Sequence, residues 1–200
     1  PRLNVKVVSS HAGITVGADG ASHQALEDIA LTRVLPNMVV IVPADAVETH
    51  SVLECAVAYD GPMYIRLGRP KVPVVCSDDY KFELGKGNVL KSGSDATIIA
   101  CGITVAFALE AADILLEKGI DAEVINMASI KPIDSELIVQ SATKTGAVVT
   151  AEEHSIIGGL GSAVAEVLGE NLPVPMERVG VRDSFGESGS PEELLEKYGI

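Results

Sequence analysis

The sequence has few cysteines, and they lie far apart. Cys55, Cys76 and Cys101 form no CxxC pair and have no metal-ligand spacing, which excludes a disulfide scaffold and a cysteine-ligated metal site. An odd number of cysteines with no secretory leader indicates reduced thiols, so we expect an intracellular, cytoplasmic protein. Cys101 ends an apolar run, where we expect a buried structural thiol rather than a nucleophile.

The sequence also lacks a long apolar run and an excess of positive charge. No apolar segment is long enough to span a bilayer, so no membrane partner is expected. Lys and Arg number 15 against 28 Asp and Glu, a formal net charge of −13, which argues against a nucleic-acid partner because phosphates are repelled. Small anionic substrates stay possible, because a few positively charged side chains in a cleft can bind them despite the negative net charge. The first residue is Pro1 rather than Met, and we expect the chain to be part of something longer.

Strand-like and helical patterns alternate along the chain, which predicts an α/β fold with mostly parallel sheets. We expect a first domain at 1–72, a linker at 73–86 and a second domain at 87–200. In the first domain the predicted strands are 3–8, 38–42 and 63–67, and the predicted helices are 23–35 and 45–59. In the second, the predicted strands are 96–101, 122–127, 147–151 and 176–181, and the predicted helices are 104–118, one ending near 143, 160–168 and a short one that begins after a Ser190 cap.

The segment 11–24 places polar side chains in a loop rich in glycine, between a predicted strand and a predicted helix. Gly13, Gly17 and Gly20 let the backbone turn where other residues would be strained. Ser22 is a candidate N-cap for the helix that follows. A polar loop in this place suits a polar small molecule better than a core.

Four side chains near the carboxyl ends of the first strands are the candidate site: His11, Asp19, His23 and Arg66. Histidine exchanges protons near neutral pH, a carboxylate accepts hydrogen bonds from sugar hydroxyls, and a guanidinium binds phosphate. A phosphosugar site would use such groups. The alternative is a solvated loop, with one histidine capping a helix and Arg66 in a surface ion pair. A metal site is disfavoured because no third close ligand accompanies a carboxylate–histidine pair.

Four segments of the first domain closely resemble the pyrimidine-binding domain of transketolases. They are Gly-Ala-Asp-Gly-Ala-Ser-His-Gln at 17–24, Leu-Pro-Asn-Met at 35–38, Pro-Ala-Asp-Ala-Val-Glu-Thr at 43–49 and Met-Tyr-Ile-Arg-Leu-Gly-Arg at 63–69. The second domain resembles the transketolase C-terminal domain at 94–97, 130–134, 152–154 and 158–162. The chain is most similar to the separate C-terminal subunit of split transketolases. This resemblance implies two three-layer α/β domains, of which the pyrimidine-binding one is truncated.

The resemblance implies a role for each candidate residue. The residue matching His11 contacts the substrate and its phosphate, and Arg66 matches the arginine that binds the phosphate. Asp19 matches the carboxylate that recognises a sugar hydroxyl. His23 matches the histidine that binds the donor ketose and assists proton movement, so it is the expected catalytic residue. The implied reaction moves a two-carbon ketol unit from a ketose phosphate to an aldose phosphate through thiamine diphosphate.

The chain departs from the family pattern in its cofactor site. The family's activating glutamate and its ring-cradling aromatics lie upstream of the position matching His11, and none of the ten residues before His11 is glutamate or aromatic. We therefore expect no cofactor-binding residues and no metal ligands in this chain. Thiamine diphosphate and Mg2+ would belong to the complete enzyme, formed with an N-terminal diphosphate-binding domain or subunit as a homodimer or heterotetramer. Alone, the chain is expected to be inactive.

Other interpretations stay open. The same architecture fits deoxyxylulose-phosphate synthase or a 2-oxo-acid dehydrogenase β subunit, and a non-catalytic assembly or regulatory module is a third possibility. The glycine-rich stretch 158–162 could bind an anion at a helix start, although tight packing is the favoured interpretation. Glu152, Glu153 and His154 could form an acid–base group, but their position at a strand end favours a structural role.

Overall fold

The computed structural model describes residues 2–200, whose strands form two sheets flanked by helices. The strands are β1 (Lys6–Ser9), β2 (Val39–Ile41), β3 (Met63–Arg66), β4 (Asn88–Lys91), β5 (Ala96–Ala100), β6 (Ala122–Asn126), β7 (Ser129–Lys131), β8 (Val148–Ser155) and β9 (Met176–Val181). The helices are α1 (Asp28–Arg33), α2 (Ala46–Ala58), α3 (Thr104–Glu117), α4 (Ser135–Thr145), α5 (Leu160–Asn171) and α6 (Pro191–Tyr198), with a 3₁₀ segment at Ile14–Asp19. The predicted α/β fold is confirmed.

The first sheet has the order β1-β3-β2-β7. Strands β2 and β3 are buried along their whole length, as expected for parallel strands covered on both faces. Strand β7 pairs antiparallel with β2, although it belongs to the second half of the chain. The sequence did not predict β7, because a strand of three residues is too short to show an alternating pattern.

The second sheet has the order β4-β6-β5-β8-β9. Strands β6, β5, β8 and β9 are parallel to one another, and β4 is the antiparallel edge strand. Predicted strand 176–181 matches β9. The C-terminal helix also begins as predicted, since Ser190 and Glu193 form a reciprocal capping box with Pro191 in the first turn.

The predicted helix at 23–35 is wrong in its first part, and so is the predicted Ser22 cap. Helix α1 begins only at Asp28, and its N-cap is Glu27, whose side chain makes no capping bond. Ala25 instead forms a parallel bridge with Ala12, and its carbonyl accepts a hydrogen bond from the Gly13 amide at 3.1 Å. Residues 23–27 therefore extend the loop rather than the helix.

The two halves of the chain, residues 2–66 and 88–200, share one hydrophobic core. Ile29, Val40 and Tyr64 of the first half pack in the same cluster as Ile99 and Met127 of the second. The connection between β3 and β4 contains neither helix nor strand. The helices within residues 2–200 fall short of the combined length and apolarity that crossing a membrane demands.

Candidate functional site

The polar loop and Arg66 lie at the same edge of the first sheet. Strands β1 and β3 are parallel, with Ser9 opposite Arg66, so both strands end at this edge. Beyond them the Ala12 amide donates to the Leu67 carbonyl at 3.1 Å. This is the carboxyl edge of the parallel strands, where α/β folds place their ligands.

The loop 11–24 has an exposed polar side and a buried underside. His11, Asp19 and His23 are exposed, whereas residues 12–17 are buried. His11 has a φ of 63°, in the left-handed region that few non-glycine residues other than Asn, Asp and His adopt. Its Nδ1 lies 3.0 Å from the Ser10 hydroxyl. Three of the four predicted site residues are therefore available to a ligand.

Gln24, which the sequence did not single out, fixes the shape of the loop. Its buried side-chain amide donates to the carbonyls of Ile14 at 3.2 Å, Gly17 at 3.1 Å and Glu187 at 2.9 Å. Gly186 lies so close that a Cβ there would stand 1.9 Å from the Gln24 Oε1. One amide thus joins two points of the loop to the C-terminal segment.

Arg66 is buried, with only 3% of its surface exposed. Its Nε donates to the Asp28 carboxylate at 2.9 Å, and its Nη2 donates to the carbonyls of Ala25 and Glu153 at 3.1 and 3.2 Å. Its Nη1 lies 3.8 Å from Glu153 Oε1. Tyr64 donates to the same Asp28 carboxylate at 2.5 Å. The structure thus places Arg66 in an internal ion-pair cluster; its binding of phosphate stays a prediction.

A second arginine, Arg69, lies on the exposed side of the loop. Its Nη1 donates to Asp19 Oδ2 at 2.9 Å and to the Val16 carbonyl at 2.8 Å, and both ionic side chains are 42% exposed. Arg69 also borders a hollow of about 530 Å³ between the loop and the start of α6. Arg69 ends the segment 63–69 that resembles transketolases, and this was the only sequence signal for it. The sequence does not reveal that Arg69 pairs with Asp19.

A separate cavity of about 420 Å³ lies between the halves of the chain, beside Arg66 and Glu153. His11, Asp19 and His23 do not line it. The structure therefore brings Asp19 together with Arg69 rather than with Arg66. The convergence of all four predicted residues on one ligand stays a prediction.

Glu152, Glu153 and His154 of β8 are all buried and act as internal contacts. Glu152 accepts hydrogen bonds from the amides of Leu160 and Gly161 at 2.8 Å, the first amides of α5. Those amides have no partner within the helix, so the two carboxyl oxygens of Glu152 satisfy them. Glu152 therefore occupies the place that an anion would take at the glycine-rich stretch.

His154 is fully buried beside these acids. Its Nδ1 lies 2.7 Å from the Ser155 carbonyl, which makes Nδ1 the donor. Its Nε2 lies 3.9 Å from Asp28 Oδ1 and has no hydrogen-bond partner within residues 2–200. Burial lowers the pKa of His154 to about 4, and burial raises the pKa of Glu152 to about 7.

Cys101 is buried, as predicted, and burial raises its pKa well above the usual value. A thiol in this state is protonated and unreactive. Residues 2–200 contain no group of three or more His, Cys, Asp or Glu side chains placed to hold a metal ion.

Several known proteins are similar to this chain in sequence. A protein of Methanocaldococcus jannaschii described as a transketolase C-terminal section is 52% identical, with 100% of this chain and 63% of the relative covered. The 6-deoxy-6-sulfo-D-fructose transketolase subunit of a Clostridium species is 50% identical, with 99% and 62% covered. The 1-deoxy-D-xylulose-5-phosphate synthase of Heliobacterium modesticaldum is 41% identical, with 94% and 30% covered.

A solved structure is also very similar. A split gene transketolase, described as an inactive beta4 tetramer, superposes with a TM-score of 0.94 at 62% identity, over 100% of this chain and 64% of that one. The chain therefore spans less than two thirds of the length of each of these relatives. The family model of the transketolase pyrimidine binding domain matches residues 1–75, and that of the transketolase C-terminal domain matches residues 85–200. The chain belongs to the transketolase family.

Proposed function

We propose that this chain is the part of a split-type transketolase that recognises the sugar substrate, and that it transfers two-carbon ketol units only within a larger assembly. The observation that carries the proposal is the exposed polar side of the loop 11–24 at the carboxyl edge of a transketolase-type sheet. His11, Asp19 and His23 are held there on a buried underside. In this proposal His23 binds the donor ketose and moves a proton near the reacting carbon.

Arg69 and Arg66 have different parts in the proposal. Arg69 is exposed beside Asp19 and a hollow. Because an exposed ion pair contributes little to stability, its guanidinium can release the Asp19 carboxylate and bind a substrate anion at little cost. Arg66 would have to leave Asp28 and the carbonyl groups around it, which is costly for a buried charge. We therefore propose Arg69 as the main phosphate ligand and Arg66 as its support. The relative named for a sulfo sugar suggests that the anion can be a phosphate or a sulfonate.

The described residues do not fit a complete thiamine diphosphate site. The pyrophosphate is bound through a metal ion, and residues 2–200 contain no cluster of metal-ligating side chains. Three tyrosines beside the first sheet are also engaged, since Tyr64 binds Asp28, Tyr80 binds Glu48 and the Tyr59 ring is covered by Lys6. We propose that the cofactor and its Mg2+ are held mainly by an N-terminal diphosphate-binding partner and by residues outside this chain.

The proposed assembly is a dimer or a heterotetramer with that partner, and we place it in the cytoplasm. The inactive tetramer of the split gene transketolase supports association of more than one copy. The three free cysteines fit a reducing compartment. The pentose phosphate pathway is the expected setting, although the relative named for a sulfo sugar allows another one.

The assay that tests the proposal uses the complete reading frame that contains this chain, with the diphosphate-binding partner, thiamine diphosphate and Mg2+. We expect transfer from xylulose 5-phosphate to an aldose phosphate, and no transfer by the 200-residue chain alone. His23→Ala should lower turnover by roughly tenfold or more. Gln140→Ala, which removes an exposed polar side chain of α4, is the control and should leave turnover unchanged.

A second candidate reaction is that of deoxyxylulose-phosphate synthase, which is favoured by the 41% identity to one such enzyme. The same assembly is therefore also given pyruvate and glyceraldehyde 3-phosphate. Turnover of pyruvate without ketol transfer would replace the proposal with this second function. If neither reaction occurs, and if His23→Ala binds xylulose 5-phosphate as tightly as the original chain does, the proposal is replaced by that of a non-catalytic module.

A further inference from the structure

The loop 11–24 is bound from below by the second half of the chain. The buried carboxylate of Glu153, in β8, accepts hydrogen bonds from the Thr15 amide at 3.1 Å and from the Thr15 hydroxyl at 2.6 Å. These two residues are 138 positions apart in sequence. A hydrogen bond to a charged acceptor is stronger than a neutral one, so this contact is a strong constraint on the loop.

The backbone of the loop is shaped to lie against Glu153. Gly13 has a φ of 96°, and a Cβ at this position would stand 2.2 Å from the Glu153 carboxyl carbon. Any side chain at Gly13 would therefore displace the carboxylate or the loop. The bond to Thr15 and the close approach at Gly13 are independent observations of the same packing.

Three further contacts with the C-terminal segment support the same loop. Gln24 is bound to the Glu187 carbonyl, and Gly17 lies so close to α6 that a Cβ would stand 3.3 Å from Pro191 Cδ. Leu194 of α6 packs with Ile14 in a small buried core. The underside of the loop is thus covered by β8 and α6, and only its polar side is exposed.

We propose that Glu153 is a positioning residue for the loop: by binding Thr15 it fixes where His11, Asp19 and His23 stand, so that the C-terminal domain sets the shape of the substrate site. Glu153 also lies 3.8 Å from Arg66, which compensates its buried charge and links the loop to β3. This inference rests on the proposed function for its catalytic consequence, but its structural content is independent of it.

The test replaces Thr15 rather than Glu153, because Glu153 also faces Arg66. Thr15→Val keeps the shape and removes the hydroxyl donor, and Thr15→Ser restores the donor. Thr104→Val is the matched control: Thr15 and Thr104 are both 1% exposed, and the Thr104 hydroxyl is bound to the carbonyls of Cys101 and Ala151 in the second half.

The first readout is amide hydrogen exchange of the 200-residue chain. We expect Thr15→Val to speed exchange in residues 16–24 by about tenfold, as for the loss of a hydrogen bond to a charged group. Thr104→Val should leave these residues unchanged, and Thr15→Ser should restore slow exchange. Equal exchange of residues 16–24 in both valine variants, or an increase spread evenly over the whole chain, would overturn the inference.

The second readout is the kinetics of the complete enzyme. A displaced loop should raise KM for the ketose phosphate several-fold more in Thr15→Val than in Thr104→Val, with serine restoring it. If the original enzyme has no ketol transferase activity, the proposed function fails while the exchange experiment still decides the positioning role. If activity is present and exchange in residues 16–24 is unaffected, only the positioning role fails.

Discussion

Two arginines, three positions apart in the chain, have opposite surroundings. Arg66 is 3% exposed and lies among Asp28, Glu153 and backbone carbonyls between the halves of the molecule. Arg69 is 42% exposed and meets Asp19 at the surface of the loop. The first joins β3 to α1 and β8, while the second can meet a ligand. Burial, rather than residue type, thus separates the structural cation Arg66 from Arg69, the one that we propose to bind the substrate.

The largest expected effect is on stability when Arg66 is removed. Arg66→Met would leave Asp28 and Glu153 as buried or half-buried carboxylates without their cation, which should cost about 3–5 kcal/mol. The free energy of unfolding in urea measures it. A cost below about 1 kcal/mol would show that the internal cluster does not stabilise the fold, and the distinction between the two arginines would disappear.

The next largest effect on stability should come from losing the contact between α6 and the underside of the loop 11–24. Leu194 is 2% exposed and packs with Ile14, so Leu194→Ala should destabilise the chain by about 2–5 kcal/mol through the lost burial and the cavity. Leu116→Ala is the control, because Leu116 is about half exposed on α3. Equal losses in urea unfolding for the two variants would contradict a buried contact at α6.

The buried groups near Arg66 predict a particular dependence on pH. Because its pKa is raised to about 7, Glu152 contributes most to stability below pH 4.5 and loses this contribution as the pH rises through 7. Because its pKa is lowered to about 4, His154 contributes above pH 6.5 and loses its contribution as the pH falls through 4. The two contributions oppose each other between pH 4.5 and 6.5.

Glu152→Gln removes the pH-dependent contribution of Glu152 and leaves that of His154. Between pH 4.5 and 6.5 the free energy of unfolding should then rise with pH more steeply than in the original chain, by up to about 1.4 kcal/mol per pH unit. Urea unfolding at three pH values over this interval measures the slope. Parallel slopes in the two proteins would mean that Glu152 does not titrate here.

Arg69 should show the smallest effect on stability. Arg69→Gln removes an exposed ion pair, so the free energy of unfolding should change by less than about 1 kcal/mol. KM for a ketose phosphate should nevertheless rise by roughly tenfold in the complete enzyme, because a charged hydrogen bond to the substrate is lost. A large loss of stability, or an unchanged KM, would remove Arg69 from its proposed role.

Much of the fold could be predicted from short-range patterns. The capped start of α2 at Asp45 and the capping box at Ser190 each depend on residues within three positions of one another, and β9 was predicted at its observed bounds. The exposure of His11, Asp19 and His23 agrees with a polar loop rich in glycine. By contrast, the late start of α1 depends on the pairing of Ala25 with Ala12, which no helical pattern reveals.

The sequence by itself determined the α/β class, the caps of α2 and α6 and the polar loop, because these depend on hydrophobic periodicity and on hydrogen bonds between near neighbours. The tertiary structure alone decided that Arg66 lies inside, that β7 joins the first sheet and that Glu153 binds Thr15. The partners of these contacts are 38 positions apart for Arg66 and Asp28 and 138 apart for Thr15 and Glu153. An ionic group becomes structural when the folded chain surrounds it with acceptors and excludes water, and that condition exists only after distant segments have packed together.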